Sequence, residues 1–224
     1  MKPTFRSKNE IVYDVLRQAI IEGEYKPGTR LVIDELANVL EVSQIPIREA
    51  IRQLEADGFV TIEPYVGATI TEINANFIYE VFALLESMEV ICSRTACQIM
   101  SDEQMDKLAQ MIEDMDGSLK DPSLWSQQNQ QLHLFICECA KTGLIFKMMQ
   151  KVLYHWDRLR LHYFKDVSAN RIAIAQADHK RILAAFRSRD PDKVEKVVRE
   201  HNQSALASYI QYLEASNHEE GNGR

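Results

Sequence analysis

Between Phe59 and Thr71 apolar residues alternate with polar ones, and this constrains the chain more than any other feature. Val60 and Ile62 alternate with Thr61 and Glu63, Pro64-Tyr65-Val66-Gly67 supplies a turn, and Ala68 and Ile70 resume between threonines. A two-residue period interrupted by a proline- and glycine-bearing turn predicts a short β-hairpin. From about Asn74 onward the apolar period is helical throughout. The fold class expected is therefore mainly α, with one small β element near residue 65.

Three helices are expected before the hairpin. Ser7-Lys8-Asn9-Glu10 has capping-box spacing, and Ile11, Val12, Val15, Leu16, Ala19 and Ile20 then recur on one face until Gly23 and Pro27-Gly28. A second, short helix carries Leu36, Ala37 and Leu40. Ser43 is the expected N-cap of a third, whose first turn tolerates Pro46 and whose stripe is Ile47, Ala50, Ile51 and Leu54. Three helices and a hairpin make a winged helix-turn-helix, placed at residues 1–73. Helices are then predicted near 75–99, 102–116, 122–140, 144–165, 168–188 and 191–214, with Ser101/Gln104 and Asp190-Pro191 as start signals. These form an N-terminal winged helix-turn-helix followed by an antiparallel all-α helical bundle, the bundle spanning 74–214. The polar end, SNHEEGNGR, belongs to an expected disordered tail over 215–224.

Composition bears on partners. The chain holds 33 acidic against 26 basic residues, a net charge of -7. Long-range attraction to nucleic acid is weak, so any such binding has to come from a local cationic face. No apolar run reaches membrane-spanning length, and MKPTFRSKNE lacks an apolar signal core, which together point to the cytoplasm. Cys92, Cys97, Cys137 and Cys139 lie in apolar helical patterns without C-x-x-C spacing and read as buried free thiols.

The third helix offers such a face. Gln44 or Ile45, Arg48 and Arg52 lie opposite its apolar stripe. Arginine can bond guanine bidentately in the major groove and glutamine can pair with adenine. The N-terminal end of such a helix normally meets base edges, which suits Ser43, Gln44 and Arg48. The hairpin tip at Tyr65-Val66-Gly67 would reach the neighbouring backbone or minor groove. The competing view pairs Arg48 and Arg52 with Glu49 and Glu55 on a solvated face.

The strings PGTRL (27–31) and DELANVLEVSQIPIREAIRQLEADGFV (34–60), with the glycine-tipped wing, resemble the DNA-binding domain of GntR-family bacterial transcription regulators. The resemblance implies double-stranded operator DNA as partner, with Arg30, Ser43, Gln44, Ile45, Pro46, Arg48, Arg52, Tyr65 and Gly67 as contact positions. Relatives usually carry arginine where this chain has Gln44. Residues 75–213 resemble the FadR-like branch, whose all-helical C-terminal domain (FCD type) binds effectors and dimerises. Its signs here are Leu85-Glu86, Leu132-His133, Asp178-His179, Asp190 and His201.

The same resemblance implies a divalent metal, zinc or nickel, at His133, His179, His201 and Asn129. Asn129 replaces the usual aspartate and is a poorer donor. Residues 129 and 133 project from one helical face, while His179 and His201 come from successive helices that a short connection would pack together. Relatives often place an effector-binding arginine where this chain has Phe82. Arg158 and Arg160 are candidates for replacement charge in an effector pocket that includes Phe82, with an organic acid as effector; the alternative for each is a surface or salt-bridged role. His155, His162, Trp125, Trp156 and Met148-Met149 read as packing or surface residues. The function expected is a ligand-responsive transcription regulator, a repressor, binding an inverted repeat as a homodimer. The alternative is a metal-dependent enzyme in the helical domain with the N-terminal module as adaptor.

Overall fold

In the computed structural model, which describes residues 7–163 and 165–221 apart from the side chains of 162, 163, 168 and 216–221, the Ser7 backbone N–H donates to Glu10 Oε2 at 2.7 Å. This contact opens α1 (Lys8–Ile21), which buries Val12, Tyr13, Leu16, Ala19 and Ile20. Next come β1 (Arg30–Leu31), α2 (Ile33–Val39), α3 (Gln44–Ala56), β2 (Val60–Glu63) and β3 (Gly67–Ile70). The apolar stripe of α3 packs on α1, with Ile47, Ala50 and Leu54 completely buried. Ser43 occupies the N-cap position of α3 with extended backbone, yet its side chain makes no capping hydrogen bond.

The hairpin pairs Val60 with Ile70 and Ile62 with Ala68, as alternation requires. A third strand was not foreseen: β1 pairs antiparallel with β3, giving the sheet order β1-β3-β2. Two residues are too few to show a period, so β1 leaves no alternating signal. Val60, Ala68 and Ile70 are buried, whereas Ile62 is exposed on the outer strand.

Six further helices follow: α4 (Ala75–Ile99), α5 (Asp102–Asp116), α6 (Pro122–Cys139), α7 (Gly143–Arg158), α8 (Lys165–Arg187) and α9 (Pro191–Gly221), with a π-helical turn at Leu159–Tyr163 between α7 and α8. Ser101 and Gln104 cap α5 reciprocally. Asp121 accepts from the N–H groups of Ser123 and Leu124 to start α6, whose first residue is Pro122. α4 packs along α9 and against α6, while α8 packs on α9, α5 and α6. Their shared interior holds Leu85, Cys92, Ala96, Leu108, Met115, Leu132 and Phe186. All four cysteines are buried free thiols. Among the described residues no helix is long and apolar enough to cross a membrane.

Two departures concern segment limits. The chain divides into compact units of Met1–Asn74 with Asp157–Tyr163, and Ala75–Trp156 with Phe164–Arg224. The return of Asp157–Tyr163 to the first unit lies outside a division drawn only after residue 73. The tail expected to be disordered from 215 continues α9 to Gly221 instead, while 222–224 lie outside the described residues. Adding residues to an existing helix is far less costly than nucleating one, and no proline interrupts this stretch.

Leu54→Ala removes a completely buried side chain from the α1–α3 contact. It should destabilise the first unit by about 3 kcal/mol in urea unfolding. A loss below about 1 kcal/mol would contradict its place in that core.

Candidate functional site

Two regions carry chemistry, one in each unit. On α3, Gln44, Ile45, Arg48 and Arg52 are exposed on the face opposite the buried stripe. Gln44 is engaged at both ends of its amide. Its Nε2 donates to Asp34 on α2, and its Oε1 accepts from Arg48 Nη2 at 3.1 Å. The amide expected to read a base therefore sits between α2 and Arg48. Arg52 pairs with Glu49 at 3.2 Å on a solvated surface, where such pairs contribute little.

Pro46 was expected to contact DNA, but it is buried at the foot of α3. Its fixed φ suits a first turn, where the missing N–H costs no intrahelical bond. At the wing tip Tyr65 is fully exposed with φ 66, and Gly67 has φ 100. A Cβ on Gly67 would be in van der Waals contact, 3.4 Å from Nε of the exposed Arg30, whose side chain lies alongside the wing; the positive φ is what favours glycine there.

In the helical unit, His133 on α6, His179 on α8 and His201 on α9 are all buried, with ligand atoms within 4.8 Å of one another. Each Nδ1 faces a protein acceptor. His133 Nδ1 lies 3.0 Å from Glu89 Oε1, His179 Nδ1 lies 3.4 Å from Gln176 Oε1, and His201 Nδ1 lies 3.5 Å from Asp178 Oδ2. Gln176 donates its Nε2 to Ile112 O and Asp116 Oδ1, which turns its oxygen toward His179. That arrangement makes His179 Nδ1 the protonated nitrogen and leaves Nε2 with a lone pair. Indeed His179 Nε2 and Asn129 Oδ1 are buried with no hydrogen-bond partner among the described residues.

Burial, then the neighbouring His201 and His133, holds His179 well below the ordinary imidazole range, so it is neutral. For His133, burial favours the neutral ring, but the adjacent Glu89 carboxylate outweighs it and raises the pKa. Glu89 is shifted the opposite way. Burial would raise it, yet His133, His201 and the amide of Asn202 hold it below the usual carboxylate range. Asn202 Nδ2 donates to Glu89 Oε2 at 2.7 Å. An imidazole whose Nδ1–H is hydrogen-bonded, as that of His179 is to Gln176, is the usual form of a histidine metal ligand. Three converging imidazoles suit zinc or nickel, with Asn129 Oδ1 as a weak fourth donor and room for a ligand.

The cluster borders a cavity within the helical unit. Phe82 lines it as expected, but Arg158 and Arg160 do not. Both fall in the segment that returns to the first unit. There Arg158 is completely buried and donates to Thr71 O at 2.7 Å, and Arg160 pairs with Asp157. The arginine in the cavity wall is Arg171.

Trp125 and Trp156, expected to be plain core, also line the cavity, and Trp125 stacks on His179 with centroids 5.7 Å apart. His155 packs edge-on against Phe77, and the side chain of His162 lies outside the described residues. Met149 is buried and Met148 is exposed. Two signals pointed to the missed residues. Glu89 is an acidic residue within the buried stripe of α4, and Arg171 precedes His179 by two helical turns.

Comparison with known proteins places both regions. A family model described as "FCD domain" matches residues 80–204, and one described as "Bacterial regulatory proteins, gntR family" matches residues 8–70. The HTH-type transcriptional repressor RspR of Escherichia coli (strain K12) is 25% identical over 205 residues, covering 91% of this chain and 89% of its own. The repressor GlaR of the same organism is 23% identical over 197 residues, covering 84% and 90%. Among solved structures, E. coli McbR/YncC superposes with a TM-score of 0.71 at 21% identity, covering 93% of this chain and all of its own. A metal-free FCD domain of the regulator TM0439 superposes with a TM-score of 0.53 at 22% identity, covering 64% and 99%.

Asn129→Asp restores an anionic oxygen beside the imidazoles. It should tighten Zn(II) at least about tenfold in competition with a chromogenic chelator, since carboxylate is the better zinc donor. Unchanged affinity would place residue 129 outside the metal's coordination.

Proposed function

The chain belongs to the GntR family of bacterial regulatory proteins, in the group whose helical domain is of the FCD type, and from that premise we propose that it is a cytoplasmic repressor that binds an inverted-repeat operator as a homodimer and responds to a small ligand in the helical unit. Its relatives along both regions are transcription regulators, which sets aside a metal-dependent enzyme with a DNA-binding adaptor. The observation that carries the reading is a combination within one chain. An exposed arginine face on α3 occurs together with buried imidazoles that leave lone pairs unused beside a cavity.

In this reading the first unit reads DNA through α3 and the wing. Arg48 contacts a base edge, and Gln44, held by Asp34, aims it. Two-fold symmetry of the protein is matched by two-fold symmetry of the operator. The helical unit holds a divalent cation through His133, His179 and His201, with Asn129 as a weak donor, and binds an organic acid beside it. The cation would supply positive charge and an open coordination position. The ligand changes operator affinity only insofar as it binds the DNA-competent and DNA-incompetent arrangements differently.

Arg48→Ala should lower affinity for operator fragments selected by the wild-type protein by about tenfold or more, the scale of one bidentate base contact, with the dimer intact. Unchanged mobility-shift affinity would remove Arg48 from base reading. Gln44→Ala frees the Arg48 guanidinium and should relax the base preference at one position per half-site, read by selection from a random pool. An unaltered selected sequence would show that Gln44 does not aim Arg48.

A further inference from the structure

We propose that Cys92 and Cys137 form a peroxide-sensitive modification site, closing reversibly to a disulfide that fastens α4 to α6 beside the histidine cluster. Such a bond acts on the helical unit independently of any ligand in the cavity.

Cys92 on α4 and Cys137 on α6 are both completely buried, and their Sγ atoms lie 2.7 Å apart. A disulfide bond is about 2.05 Å long, so closure needs an approach of roughly 0.7 Å. Thr142, between α6 and α7, places Oγ1 3.3 Å from Cys92 Sγ and 3.8 Å from Cys137 Sγ. The hydrogen bond from Cys137 lowers Cys92 below the ordinary thiol range against the effect of burial, and Thr142 lowers it further. Cys137 is raised by the same bond and by burial. One sulfur thus has thiolate character while its neighbour keeps the proton, the pairing of an attacking thiol with a resolving one.

Cys97 and Cys139 are buried as deeply, and burial pushes both thiols up, so they serve as internal controls. Access to the pair is from the cavity side. Glu89 and His133 line the cavity, and Cys92 and Cys137 follow them by three and four residues on the same helices, one turn further along. A water-sized oxidant suits sulfurs set one turn behind that wall, and a bulky aromatic reagent does not.

Hydrogen peroxide balances the step. The Cys92 sulfur attacks one peroxide oxygen, forming an S–O bond and breaking O–O, and the leaving hydroxide takes a proton to become water. The Cys137 sulfur then attacks the sulfenic sulfur, forming S–S and breaking S–O, and the hydroxyl leaves with the Cys137 proton as a second water. Two thiols lose two electrons and one peroxide gains them. A dithiol reductant reverses the bond by exchange. In reducing compartments disulfides are usually of this transient, sensing kind.

The test treats the reduced full-length chain with hydrogen peroxide, blocks the remaining thiols with iodoacetamide in urea, and maps unreduced peptides by mass spectrometry. Cys92 and Cys137 should lose their thiols at least about tenfold faster than Cys97 and Cys139. They should appear as one linked peptide pair within a single chain, released by dithiothreitol. The link closes a span of 45 residues, so the oxidised chain should melt at a higher temperature than the reduced one. In Cys137→Ser, Cys92 should accumulate as a sulfenic acid trapped by dimedone, and an aromatic disulfide reagent should modify neither sulfur in the folded wild type.

Equal oxidation of all four cysteines, or a bond joining any other pair or two chains, would overturn the proposal. So would a Cys92–Cys137 link that forms only in urea, since it would belong to the unfolded chain. Sulfinic acid at Cys92 with Cys137 unchanged would remove Cys137 as the resolving thiol. An oxidised chain that melts below the reduced one would contradict closure within the native packing. Should Cys137→Ser fail to fold, the wild-type peptide map decides alone.

Discussion

A buried carboxylate organises the helical unit. Glu89 on α4 meets His133 on α6 and Asn202 on α9, so one carboxylate joins three helices through contacts of 3.0 Å and 2.7 Å. Leaving a buried charge with one partner removed costs about 3–5 kcal/mol, so each partner depends on the others. Apolar residues of similar volume would serve stability as well or better. The polar cluster is therefore better understood as a site that the fold tolerates. The imidazoles are oriented by acceptors at their Nδ1 atoms and present their remaining lone pairs inward, toward space bordered by Arg171, Trp125 and Trp156.

The DNA-reading unit follows a different electrostatic logic. The whole chain is acidic, so nonspecific attraction to phosphate is weak and a few placed contacts have to dominate. Arg48 donates to Gln44, which is itself held by Asp34. Arg30 lies against the wing beside Gly67.

Much of the fold was legible in the sequence, because period and punctuation are local. The Ser7–Glu10 and Ser101–Gln104 boxes, the stripe of α3 and the hairpin around Gly67 are set by residues close in the chain. β1 escaped because two residues carry no period, and Pro46 was assigned outward although its ring turns into the core. The candidate site was legible only in part. The resemblance to the FadR-like branch implied the histidine cluster. Glu89, Gln176 and Arg171 were not evident, because whether a charged or amide residue is buried depends on helices far away in sequence. Arg158 shows the reverse error: a charge near the right helix belongs to the other compact unit.

His133, His179 and His201, with Nδ1 atoms turned to protein acceptors, are proposed to bind a cation through their remaining nitrogens. Elemental analysis of protein purified without chelator or a nickel column, set beside a His179→Ala variant, tests it most directly. Wild type should carry about one zinc or nickel per chain, and the variant well under half of that, since three imidazoles are needed to hold the ion. Equal metal content in the two proteins, or none in the wild type after incubation with Zn(II) and desalting, would contradict it.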